Sequence, residues 1–124
     1  MDNQPKVFEP IVVTKLLRVY MAIVKLRLKI PKPLRHSLGE TIDKTILSAL
    51  ESIFSANTLP RPLREEPLQK TIAKLELAKL LLRVLMQECP ENLNTTHFFF
   101  LSGELTECCK MVTGWRNYCR QTPK

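Results

Sequence analysis

The stretch PIVVTKLLRVYMAIVKLRLKIPKPLR, Pro10 to Arg35, decides how this chain folds. Between Pro10 and Pro31 it holds a run with apolar residues at helical spacing. Val12, Leu16, Val19, Ile23 and Leu26 fall within about 80° of one another on a helical wheel. Leu17, Tyr20, Val24 and Leu28 widen the apolar arc to about 200°. Lys15, Arg18, Lys25 and Lys29 form a narrow basic stripe on the remaining side. A helix facing one core needs about 100° of apolar surface. The surplus predicts a second buried contact, such as a subunit interface. Pro10 suits a helix start. Pro31 and Pro33 close the run, because an interior proline costs about 3 kcal/mol. The spacing predicts a helix over 10–29.

The other prolines punctuate the rest of the chain in the same way. The stiff basic link IPKPLRH, residues 30–36, leads to a second helix over 34–57. Its stripe is Leu38, Ile42, Ile46, Ala49 and Ile53, and Ser37 with Glu40 matches a capping box. A second link, TLPRPLREEP, leads to a third helix over 63–89, with Pro67 confined to its first turn and Leu68, Ile72, Leu75, Leu82 and Leu85 as its stripe. Glu76 and Lys79 are three apart and can pair. After PENLN, Asn94 is a good N-cap for a fourth helix over 95–120. Its stripe runs through Phe98, Leu101, Leu105, Cys108 or Cys109, Val112, Trp115 and Cys119. No period-2 run bounded by turn pairs competes. Four helices of similar length with short links predict one all-α domain, an antiparallel up-down-up-down four-helix bundle.

Composition narrows the functions. The chain has 124 residues, 44% of them hydrophobic, which suits one domain with a modest core. Only Gly39, Gly103 and Gly114 are glycine, too few for glycine-rich phosphate loops or dinucleotide-binding crossovers. No apolar run approaches the ~20 residues of a membrane span. The opening MDNQPKVFEP is polar and broken by Pro5 and Pro10, unlike a secretory leader. Cys89, Cys108, Cys109 and Cys119 read as free thiols, which points to the cytoplasm. No catalytic or cofactor-binding constellation is present. His36 and His97 are isolated, and no glutamate is followed by histidine three residues later, as bundle metal sites require. Adjacent Cys108 and Cys109 diverge on a helix, and Cys119 lies about 16 Å further along, so they cannot share a tetrahedral metal. Phe98, Phe99 and Phe100 cover too wide an arc to act as one stacking platform, and packing is their expected role.

What remains is charge. The formal net charge is +7, and residues 1–36 carry eight basic groups against two acidic ones. Residues 37–58 reverse the balance, with one base and three acids. The candidate binding residues are Lys15, Arg18, Lys25 and Lys29 on the first helix, Lys32 and Arg35 in the link, and Lys79 with Arg83 on the third helix. Such side chains neutralise phosphates with little sequence information.

The stretch IPKPLRHSLGETI, Ile30 to Ile42, resembles the (I/F)PK-x-x-R-x-x-LG-x-x-I signature of a four-helix-bundle family. That family includes proteins encoded in ribosomal-RNA intervening sequences and the accessory variability determinant (Avd) of diversity-generating retroelements. The matching residues are Ile30, Pro31, Lys32, Arg35, Leu38, Gly39 and Ile42. The third helix, with repeated leucines and the pair Lys79 and Arg83, is similar to that of Avd, and Gly114-Trp115 matches the late Gly-Trp of that branch. The resemblance implies a non-catalytic protein without a cofactor, assembled as a barrel-shaped homopentamer. It implies binding to the retroelement's reverse transcriptase and, through the basic surface, to template RNA or complementary DNA. The competing expectation is a stand-alone RNA-binding bundle of the intervening-sequence type.

Overall fold

The computed structural model describes residues 10–91 and 94–121. The reading of residues 1–9 as unlike a leader, and Asn92 and Leu93 of the PENLN link, lie outside the described residues. Every regular element described is helical: α1 (Ile11–Arg27), a single turn α2 (Lys32–Arg35), α3 (Leu38–Thr58), a 3₁₀ turn (Arg61–Leu63), α4 (Glu65–Glu88) and α5 (Thr95–Gln121). The four long helices pack in a ring, α1 between α3 and α5, and α4 closing the other side. Cross-helix pairs show that neighbours run antiparallel. On α4 and α5, Glu65 meets Arg120 while Gln69 meets Arg116 one turn inward. This is the arrangement of a four-helix bundle.

The core is made by the stripes that periodicity marks out. Val12, Leu16, Val19, Ile23 and Leu26 of α1 are buried against Ile42, Ile46, Ala49 and Ile53 of α3, with Leu68, Leu75, Leu82 and Leu85 of α4 and Leu101, Leu105 and Val112 of α5. Burying each such side chain contributes about 1.5–3 kcal/mol. Leu38, Ile72, Phe98 and Trp115 flank this core and are only partly buried. The one buried polar residue among those described is Thr71. It shares a 2.6 Å hydrogen bond with Ser52 of α3 and reaches the Pro67 carbonyl at 2.9 Å, so its hydroxyl is satisfied.

The helix ends differ from the sequence expectation for local reasons. Helix α1 stops at Arg27, two residues early. Ile30 precedes Pro31 and is biased away from helical backbone. The last turn tightens instead, with the Leu28 and Lys29 amides bonding the carbonyls of Lys25 and Leu26. The helix expected over 34–57 is two pieces. Residues 32–35 make one turn, and the chain bends at Ser37, whose φ and ψ are −119° and −89°. The Ser37 hydroxyl donates to the Pro33 carbonyl at 2.8 Å and caps nothing, so the capping box does not form. The third helix begins at Glu65 after the 3₁₀ turn, with Pro67 in its first turn, where a missing amide proton costs little. Asn94 caps α5, its Oδ1 accepting from the amides of Thr96 at 2.8 Å and His97 at 3.2 Å. The helices are also unequal. With 17 residues, α1 is about 25 Å long, against about 40 Å for the 27 residues of α5.

The link that carries the family-like signature is a packed corner. Ile30 is buried, and Gly39 lies against it so closely that an added Cβ would stand 3.1 Å from Ile30 Cδ1. Arg35 Nη2 donates to the Ile30 carbonyl at 3.2 Å, while Arg27 donates to Asp43 at 2.9 Å and to the Arg35 carbonyl at 3.2 Å. Asp43 also hydrogen-bonds Tyr20, whose hydroxyl pKa is raised by burial first and by this carboxylate second.

Candidate nucleic-acid and partner interface

The outward face of α1 carries the surplus apolar residues and most of its stripe cations together. Leu17 and Met21 are 42% and 53% exposed, and Ile11 and Leu28 more so. Between this face and α5 runs a groove of about 580 Å³. Leu17, Met21, Ala22, Leu26 and Phe100 line it with Arg18, Lys25, Lys29, His97 and Glu104. Arg18, Lys25 and Lys29 thus border an apolar trough. Their seven- and four-residue spacing follows from helical geometry, which returns residues at those intervals to one side.

The eight candidate cations are distributed over distinct settings. Arg18, Lys25 and Lys29 flank the groove. Lys15 is turned into an ion pair with Glu104 of α5 at 3.1 Å, both side chains about four-fifths covered, and so helps join α1 to α5. Arg35 belongs to the corner, as described above. Lys32 is exposed on α2. Lys79 pairs with Glu76 at 3.6 Å, and Arg83 is exposed on the same helix. Lys79 lines a shallower polar notch with Cys109, Lys110, Thr113 and Asn117 on the opposite flank of α5 from the groove. The structure therefore gathers three of the eight into one patch and leaves Lys79 and Arg83 on another flank.

A further cluster of cations was not legible as such in the sequence. Arg61 stacks over Tyr118 at 3.9 Å from the ring centre, and Arg64 lies 5.9 Å from that of Trp115. Arg64 Nε also donates to the Leu59 carbonyl at 2.8 Å. These contacts tie the 3₁₀ turn to the end of α5. The signal was present, two arginines in a proline-rich link and two late aromatics, but their pairing depends on the bundle's register. Gly114, beside Trp115, has nothing within 4 Å of an added Cβ, so packing within this chain does not demand glycine there.

Among the described residues no cluster of three or more His, Cys, Asp or Glu could hold a metal ion. All four cysteines are free and buried. Burial pushes the Cys108 thiol up to about 12 and the Cys109 thiol up to about 11, which suits small core residues rather than nucleophiles. No described helix is long and apolar enough to cross a membrane. No protein-family model, curated protein or solved structure matches the chain.

Proposed function

We propose that this chain is a non-catalytic accessory subunit of a diversity-generating retroelement. In this reading it works in the cytoplasm as a barrel-like homopentamer, binding the reverse transcriptase and the template RNA or its complementary DNA to support mutagenic retrohoming. The observation that carries the reading is the outward face of α1, where exposed Leu17, Met21 and Leu28 lie beside Arg18, Lys25 and Lys29. Apolar surface of this kind seeks a protein neighbour, and the cations favour one that is acidic or carries phosphate. The signature from Ile30 to Ile42 adds the family. The reading predicts an adjacent reading frame for a reverse transcriptase, and the test is co-expression with that enzyme followed by pull-down. Co-purification is expected, and its absence at low salt would sink the proposal.

The second reading is a stand-alone RNA-binding bundle. Exposed Lys32 and Arg83, neither of which lines the apolar groove, favour it. It predicts salt-sensitive RNA binding without any polymerase. Affinity that is absent at about 50 mM salt, or flat as salt is raised, would remove it.

A further inference from the structure

The groove between α1 and α5 offers more apolar floor than a phosphate backbone uses. Nucleic acid is held by cations and donors, with bases stacked on aromatic faces. Here the floor beside the cations is aliphatic, Leu17, Met21 and Leu26, the opposite wall adds His97 and Phe100, and the Glu104 carboxylate is already held by Lys15. A groove between two antiparallel helices has the shape that accepts a third helix, at an axis separation of about 8–10 Å. The cations match that guest. Arg18, Lys25 and Lys29 are spaced so that their Cα atoms rise about 10 and 6 Å along the axis. Carboxylates seven and four residues apart on a guest helix share one stripe with the same rise, beside an apolar face that would cover Met21.

We infer that this groove receives an acidic amphipathic helix from a partner protein. The inference rests on reading the α1 face as a partner-binding surface, and it names the partner's chemistry. A second copy of this chain fits less well. Each copy is +7, and α1 laid on α1 opposes like charges. Two carboxylates of the acidic stretch are already engaged, Asp43 by Arg27 and Glu40 by Lys44.

The probe is a labelled helical peptide of about four turns, leucines on one face and glutamates along its edge, with a scrambled peptide of equal composition. Fluorescence anisotropy measures binding to the full chain. The amphipathic peptide is expected to bind at least about tenfold tighter than the scrambled one. Arg18→Glu with Lys25→Glu should weaken it about tenfold or more, and so should Met21→Gln. Met21 is half exposed, so that variant keeps its fold, which circular dichroism checks. Lys44→Gln, on the exposed side of α3 away from the groove, should leave peptide binding unchanged. Equal binding of both peptides would overturn the inference. So would single-stranded RNA that binds and is lost in Arg18→Glu/Lys25→Glu while the peptide fails to bind. A third contrary result is self-association that Met21→Gln abolishes, with no peptide binding, which assigns the groove to a second copy. If the polymerase co-purifies but the peptide does not bind, this inference falls and the accessory reading stands. If the peptide binds and the polymerase does not co-purify, the reverse holds.

Discussion

A methyl group added at Gly39 would lie 3.1 Å from Ile30 Cδ1, 3.3 Å from the Leu34 carbonyl oxygen and 3.4 Å from Arg27 Cγ. The corner leaves no room for a branched side chain there. Gly39→Val is expected to destabilise the fold by about 1–3 kcal/mol in urea unfolding. Gly114→Ala should do the opposite, gaining about 0.5–1 kcal/mol, because it removes backbone freedom in mid-helix and meets no neighbour. Cys108 and Cys109 set a pH dependence. An unfolded thiol ionises near 9.0, whereas burial holds these protonated up to about 12 and about 11. Above pH 9 the folded state therefore keeps more protons than the unfolded one, and their contribution to stability is lost as pH rises towards 11 and 12. Unfolding free energy measured from about pH 8.5 to about 10.5 should fall more steeply for the native chain than for Cys108→Ala. At this scale charge was the least legible property of the sequence. Arg35 looks the same whether it meets a phosphate or, as here, the Ile30 carbonyl five residues back.

The elements were legible where one face decides them. The stripes of α1, α3, α4 and α5 follow from a 3.6-residue period, and burial follows the stripes. Helix ends were legible only where the cap is local. Asn94 caps α5 from its own position, so Asn94→Ala should cost about 1 kcal/mol in thermal or urea unfolding. Ser37 carries an equally good pattern, yet its backbone bends at the corner where Ile30 packs on Gly39, and its hydroxyl turns back to Pro33. Ser37→Ala is accordingly expected to change stability by less than about 0.5 kcal/mol. A loss near that of Asn94→Ala would show that Ser37 caps α3 after all. The groove was half legible. The 200° apolar arc of α1 announced an unused face, but Phe100 and Glu104 join it only through the antiparallel register of α5.

Across the whole molecule, the net charge of +7 resolves into parts with different work. Lys15, Arg27 and Arg35 hold the bundle together, whereas Arg18, Lys25 and Lys29 border an open groove. If Lys79 and Arg83 form a separate contact, Lys79→Glu with Arg83→Glu will weaken partner or RNA binding and leave fold and assembly unchanged. Unfolding or dissociation of that variant would make the pair structural. Light scattering should report an oligomer, and a clean monomer would contradict the proposed homopentamer. The proposal stands or falls on whether the α1 face recruits a polymerase. The direct test is to co-express the chain with the reverse transcriptase that the reading predicts in an adjacent reading frame and to purify the chain at low salt. The polymerase is expected to co-purify with the native chain and to be lost with Arg18→Glu/Lys25→Glu. A native chain that purifies without the polymerase, or a variant that retains it fully, would contradict the claim.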